Sequence, residues 1–366
     1  MSPKAWPAML LLLASPLRAQ AVLGPADDAT IAPPGATRLR IETSWQHYGL
    51  TNVDSASRVE SYAQVRFTTF TAEFGVAKRL SVGFIAPEAG TLVTSSKFTP
   101  AIPKDQLDTI VTTSHNGIGD IEVGGKFAWL AGPGEAERIA LGPGLHVRAA
   151  VSAFYRFTTG TPPDPLDYFG VATGSGRTAL TLSSQNDLLF GRVFWLTALA
   201  RYQWPGSVTR DVQLFAGGDP LGQSYGTVRA TQTGGNEWLL QATPRVTLGR
   251  YFAIGAQYTY RHRDASSFAG TRDTIIGSDT VHLDASVLDS LSGGTAQYLG
   301  GTATYSTVAA YLQGKASFPI EISYTYAGTL TADGSLPKQA ATNTVTIRLW
   351  LHMWGAAFKK GIAKTP

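Results

Sequence analysis

The chain is 366 residues long, contains no cysteine and 39 glycines, and carries a formal charge of +4. The missing cysteine excludes disulfides, thiolate metal sites, a cysteine nucleophile and the lipid-anchored cysteine of a lipoprotein. Two cations, Lys4 and Arg18, belong to a leader, and the +2 that remains gives no footing for nucleic-acid binding.

The opening "MSPKAWPAMLLLLASPLRAQA" joins Lys4, a short apolar run from Ala8 to Ala14 and the small-residue site Ala19-Gln20-Ala21. That order predicts a secretory signal peptide over residues 1–21. The run is shorter than the about 20 residues a spanning helix needs, and no later stretch reaches that length. Residues 22–36, rich in Pro, Ala and Asp, read as a flexible periplasmic lead. Residues 37–354 read as the folded unit and 355–366 as a periplasmic tail.

From Thr37 the apolar residues recur at every second position, and helical periodicity is missing. The pattern predicts about twelve strands. In chain order they fall near 38–48, 58–76, 80–93, 117–130, 139–159, 177–189, 193–204, 237–248, 252–264, 298–313, 318–331 and 343–354. Most have the roughly ten residues of a tilted membrane strand. Parity slips between Phe67 and Phe70, which predicts a bulge or a strand that outruns the membrane. The stretch 298–313 is too rich in Gly, Ala and Thr to assign its faces.

Short links ("AKR", "AGPGEAER", "FGR", "GRY", "GKAS") alternate with long ones, notably 94–116, 205–236 and 265–297. Sorted link lengths and an even strand count predict an all-β, up-and-down antiparallel transmembrane barrel with turns on one side and loops on the other. Along 117–130, Ile121, Val123, Phe127 and Trp129 alternate with Asp120, Glu122 and Lys126. Val345, Ile347 and Leu349 likewise alternate with Thr346, Arg348 and Trp350. A cation facing hydrocarbon near the midplane costs about 2–4 kcal/mol, so the charged face must be the lumen. Trp45, Trp129, Trp204, Trp238, Tyr251 and Trp354, near strand ends, suit interfacial girdles.

Two stretches taken together resemble a known family. "GIGDIEVGGKFAWL", then "FYRFTTGTPPDPLDYFGVATGSGRTALTLSSQNDLLF", are similar to the outer-membrane family associated with the MetA pathway of phenol degradation. Gly117, Gly119 and Asp120 match its Gly-x-Gly-Asp strand, Thr159 and Gly160 its Thr-Gly loop start, and Gly174 and Gly176 its Gly-rich segment. Pro162 departs from the acidic loop usual there, and "GAAFKKGIAKTP" lacks the terminal aromatic that insertion machinery commonly reads. The resemblance implies an outer-membrane channel that admits small hydrophobic or aromatic compounds. It also implies lipid, lipopolysaccharide and the barrel-insertion machinery as partners, and the outer membrane of a Gram-negative-type bacterium as location.

The lumen is predicted to hold Arg40, Arg148, Arg156, Arg201, Arg245, Arg261 and Arg348 with Glu42, Asp120, Glu122, Asp187 and Glu321. Asp120 and Glu122 are expected on the strand next to that of Arg148, and Glu321 beside the strand of Arg348. These charges either neutralise and fill the interior or form a constriction that favours anions, and both roles fit the same residues. A lateral opening along the glycine-rich 298–304 is the alternative route for hydrophobic solutes.

No cofactor or metal is expected: "GSGRTA" (174–179) fits a dinucleotide fingerprint only by spacing, with no helix behind it, and the six histidines lie singly. A non-enzymatic channel is the leading reading. Two alternatives stay open. One is a structural or adhesin-like barrel acting through the loops that carry Phe215, Tyr225 and Phe268. The other is an outer-membrane hydrolase built on His47, His262 or His352.

Overall fold

Each of the twelve regions where the period of two was read contains a strand. A computed structural model describes residues 28–352 apart from 54–56, 101–116, 132–140, 163–172, 216–223, 277–278, 292, 313, 335 and 337–339. The expected signal peptide, the tail and Trp354 lie outside the described residues.

The strands are β1 (Ala36–Val53), β2 (Ser57–Ala77), β3 (Leu80–Pro100), β4 (Gly117–Ile118), β5 (Glu122–Leu130) and β6 (Leu145–Arg156). They continue with β7 (Ala179–Phe190), β8 (Phe194–Pro205), β9 (Ser207–Phe215), β10 (Ser224–Thr233), β11 (Glu237–Leu248) and β12 (Phe252–Arg263). The last are β13 (Ser267–Ala269), β14 (Thr271–Ile276), β15 (Asp279–Asp284), β16 (Gly294–Ser306), β17 (Ile320–Ala332) and β18 (Ala340–His352).

Twelve of these strands (β1–β3, β5–β8, β11, β12 and β16–β18) form one antiparallel ring. It closes where β18 returns to β1 in register from Ala36↔His352 to Tyr48↔Ala340. Closure pairs the backbone on both sides of every strand and leaves no sheet edge for lipid to meet. Gly191 (φ 56°) and Gly249 (φ 68°) make the β7–β8 and β11–β12 turns, where only glycine takes a left-handed backbone without strain.

The two faces sort as expected. Outward lie Phe70, Val82, Phe84, Val123, Phe127, Trp129, Val151, Leu182, Ile254 and Tyr324, all exposed. Inward lie Thr69, Lys126, Ser152, Gln185, Thr197, Gln257, Thr325 and Thr346, all buried. An apolar outside around a polar inside is the polarity of a protein whose outer solvent is hydrocarbon. Aromatic clusters mark both ends of the wall. Tyr202 meets Trp204 edge-on and Trp238 at a tilt, ring centroids 4.2 Å apart in both pairs, on the loop side, and Phe252 meets Tyr305 at a tilt, 5.2 Å apart, on the turn side.

Several boundaries differ from expectation. The stretch 117–130 splits into β4 and β5, because Gly119–Ile121 leave the ladder to meet the β6–β7 connection. The stretch 139–159 shortens to β6, preceded by Gly144 at φ 130°. In 298–313 the strand stops at Ser306, and Val308–Leu312 form a short helix. Its faces are now assigned: Thr302, Thr304 and Ser306 point in, Leu299 and Tyr305 out. Between Phe67 and Phe70 the ladder is regular, Phe67 facing in and Phe70 out; the bulge of β2 lies just before, where the register jumps from Val65↔Leu92 to Phe67↔Ala89, on a strand that is 21 residues long.

The two longest loops are structured. β9, β10 and β13 form a three-stranded sheet and β14–β15 a hairpin. Val212, Leu214, Val228, Ala230, Phe268, Leu283 and Ala285 form a small apolar core inside this loop-side cap. Phe268, expected as a surface contact, is a core residue of the cap. The side chains of Phe215 and Tyr225 lie outside the described residues.

Candidate functional site: the barrel lumen

Most of the charged residues expected inside are there, and strand register chooses their partners. Arg148 stands opposite Asp187 across β6–β7, with Nε 2.5 Å from Oδ2. Glu122 stands opposite Arg156 across β5–β6, its Oε1 accepting from Nε at 2.9 Å. Glu321 stands opposite Arg348 across β17–β18, at 3.2 Å. Arg40 Nε lies 4.0 Å from Glu42 Oε2. The strand of Glu122 does lie beside that of Arg148, but the register sets Glu122 against Arg156, and Arg148 takes Asp187 from the strand on its other side.

Arg261 pairs with Glu237, Nε and Nη2 donating at 3.0 and 2.9 Å, and Arg263 donates to the same carboxylate. Glu237 was missed although it shares the inward parity of Arg245 on β11, which could have named it. Arg245 is buried with its guanidinium over the Trp195 ring, 5.0 Å from the centroid. Inside a membrane barrel a cation over a ring keeps some of the stabilisation that lost hydration removes. Arg201 lines the central cavity.

Asp120 is the exception among the expected lumenal charges. It accepts from Gly160 N at 3.1 Å, from Ser175 N at 2.7 Å and from Ser175 Oγ at 2.8 Å, so it clasps the β6–β7 connection. Thr159 Oγ1 accepts from Ile121 N at 2.8 Å and donates to Gly119 O at 2.9 Å. A Cβ on Gly174 would come within 2.5 Å of Asp120 Oδ1 and 2.8 Å of Gly160. Gly117 and Gly119 are closed in the same way by Thr173. Gly176 takes φ 66° against Pro162. The three motif pieces, far apart in the chain, therefore form one junction on the loop side, and their glycines are there for close backbone approach. Close by, Arg177 is buried, and burial with repulsion from Arg210 and Arg263 lowers its guanidinium to about 10.

The expected flexible lead is the largest correction. Its described part, Asp28–Gly35, folds back into the barrel from the turn side. Asp28 is buried, and its carboxylate pairs with Arg38 at 3.1 Å and Arg348 at 3.2 Å. The Asp28 carbonyl accepts from Lys126 Nζ. Ala29 N donates to Asp187 Oδ2 at 2.9 Å and Ala32 N to Glu73 Oε1 at 3.1 Å. Ala29 packs on Ala128 and Ala150, with Ile31 against the same cluster. The physical reason is electrostatic: an inner wall with more arginines than carboxylates recruits the nearest tethered anion. Lys126, Arg38 and Glu73 were not among the residues named for the site; all three contact the strap and line the cavity beside it.

Beside the strap lies a lumenal cavity of about 80 Å³, lined among others by Asp28, Arg38, Arg40, Glu73, Glu122, Lys126, Arg201 and Arg348. Five cations face three carboxylates across it.

The glycine-rich 298–304 does not form a gap. β16 is paired continuously with β12 from Phe252↔Tyr305 to Arg263↔Gly294, and with β17 on its other side. A Cβ on Gly300 would lie 1.9 Å from Tyr326 O, so the glycine serves close packing of the wall. The short ladder is elsewhere: β3 and β5 share only Leu80↔Phe127 to Ile85↔Glu122. The hydrolase alternative finds His262 Nδ1 2.9 Å from Thr295 Oγ1 and Nε2 3.3 Å from Asp264 Oδ1, a threonine standing where a serine nucleophile is required.

The geometry defines a transmembrane β-barrel with a charged, partly occluded lumen. Among solved structures the chain is similar to an outer membrane channel from Pseudomonas putida F1, with TM-score 0.54 and 11% identity over 90% of this chain and 100% of that one. Weaker likenesses include the transport unit of the autotransporter AIDA-I from Escherichia coli, with TM-score 0.43 and 13% identity over 95% of this chain and 98% of that one. Another is the Pseudomonas putida toluene transporter TodX, with TM-score 0.43 and 9% identity over 88% of this chain and 90% of that one. No family model matches the sequence. No curated protein matches it either. The first likeness bears on the fold alone.

Proposed function

We propose that the protein is an outer-membrane channel that passes small molecules through the barrel lumen and favours anions. The observation that carries this reading is the cavity wall, where five cations face three carboxylates inside a closed barrel with an apolar exterior. Arg40, Arg201 and Arg348 line that cavity, and Arg245 is a further buried cation outside its lining. A ring of fixed positive charge in a low-dielectric wall lowers the barrier for an anion and raises it for a cation. The barrel supports an outer-membrane location, and the leader pattern supports export by a signal peptide.

The resemblance to the phenol-degradation family supports an aromatic permeant, and the short, paired β3–β5 ladder, rather than 298–304, is where a lateral route for such a solute is proposed. The deciding experiment is planar-bilayer conductance with reversal potentials in a salt gradient, run beside uptake of a small aromatic into liposomes. The lumenal reading requires a reversal potential on the anion side that moves toward zero in the Arg40→Ala, Arg201→Ala double variant. Aromatic uptake with no current assigns transport to the wall.

A further inference from the structure

The Asp28–Gly35 strap enters a wall that already holds a matching receptor. Arg38 and Arg348 both donate to the Asp28 carboxylate, Lys126 donates to its carbonyl, and Ala29 N is anchored on Asp187. We infer that this receptor is a small-carboxylate binding site of the channel, which Asp28 occupies as a tethered stand-in, so that an incoming carboxylate and the strap compete for it.

Three observations carry the inference. The groups around Asp28 come from strands far apart in the chain, β1, β5 and β18, and all three are donors converging on one acidic residue. The cavity lies against the same groups, with Asp28, Arg38, Lys126 and Arg348 all in its lining, so a solute in the lumen reaches the receptor without crossing the wall. Finally, the strap is held mainly by polar contacts. Its apolar footing is the small Ala29, Ala128, Ala150 cluster with Ile31, which buries far less surface than an ordinary core segment. Strap contacts made through one carboxylate can be replaced by another carboxylate with little change in the number of hydrogen bonds.

Release of the strap changes the lumen in two ways. It clears the turn-side mouth, and it removes one of the three carboxylates facing the cavity while its five cations remain. Opening and anion preference therefore rise together. This inference rests on the lumenal channel reading, but strap release can be measured without current.

Because the chain has no cysteine, Ala29→Cys gives a single reporter. Its maleimide labelling in the refolded barrel is followed in sodium acetate and in sodium chloride at equal ionic strength. Acetate should accelerate labelling several-fold over chloride, and Arg348→Gln should abolish the difference. Equal labelling in the two salts overturns the carboxylate site, whatever the conductance. In bilayers, Asp28→Ala should raise conductance and shift the reversal potential further toward anions. The Ala29→Cys, Ala150→Cys pair, joined by oxidation or a short thiol cross-linker, should stay closed until reduced or, for the cross-linker, never open. Currents in Asp28→Ala and in the locked pair equal to wild type overturn the plug. No current in any variant, with acetate-dependent labelling intact, overturns the channel reading and leaves the carboxylate site standing. Heat-modifiable electrophoretic mobility confirms in each case that the barrel has formed.

Discussion

The barrel wall and the loop-side cap are built from the same kind of strand with opposite polarity. In β6, Val151 and Tyr155 face out while Arg148 and Arg156 are buried. In β9 and β10, Val212, Leu214, Val228 and Ala230 are buried, while Asp211 and Arg229 are largely exposed, with a 3.9 Å ion pair between them. Period two alone is identical in both. What differs is the medium outside each region: hydrocarbon around the wall, water around the cap. The hydrophobic effect orders the cap, and the cost of charge in lipid orders the wall.

Breaking the inner order of the wall should have the largest effect. Arg148→Leu leaves Asp187 buried with only neutral donors, Ala29 N and Thr197 Oγ1. Loss of one partner of such a pair costs about 3–5 kcal/mol. Denaturant unfolding in detergent should show a loss of that size, and the Arg148→Leu, Asp187→Leu double variant should recover most of it. A double variant no better than the single one would mean that the pair is not the unit.

Breaking the outer order comes next. Ile347→Arg, one residue from Arg348 on the opposite face of β18, places a cation in lipid and should cost roughly 2–4 kcal/mol if the position is near the midplane. The heat-modified band shift of the folded barrel should weaken. Full stability would mean that the wall and the cap see the same solvent.

The mirror substitution belongs in the cap. Val228→Asp buries an unpaired carboxylate in its small core and should cost about 1–3 kcal/mol locally. Limited proteolysis should then cut β9–β10 and spare the barrel. Concerted loss of the barrel band would show that cap and wall fold as one unit.

A smaller effect tests the junction between the regions. Gly174→Ala drives a Cβ toward Asp120 and Gly160 and should loosen the β6–β7 connection by about 1–3 kcal/mol. Faster nicking within 160–178, with the barrel intact, is the expected readout. The smallest effect is the salt response of the lumen. Anion preference measured at ~1 M salt should be weaker than at ~0.1 M, because the screening length falls from about 10 Å to about 3 Å.

The resemblance motif shows how much of the site was legible. Asp120, Thr159, Gly160 and Gly174 were singled out by the resemblance, while the alternation along 117–130 suggested a lumenal charge at Asp120. The structure makes Asp120 a clasp, because Gly117 and Gly119 let the chain turn out of the ladder before β5 begins. The cap was equally half-legible. Residues 205–236 and 265–297 were seen as long, but pairing within them depends on contacts between β10 and β13, some 35 residues apart.

By itself the sequence determined that the chain is a barrel, where most of its strands run and which face of most of them turns inward. Those properties depend on a local repeat of two, and a strand cannot present its charged face to lipid at any register. Only the tertiary structure decided who meets whom inside. Arg148 finds Asp187, Glu122 finds Arg156 and Arg348 finds both Glu321 and Asp28, because strand register and ring closure set which side chains stand opposite one another. The lead's place in the lumen was decided there too. Its pull comes from the summed charge of a closed wall, a quantity that no single stretch of the chain contains.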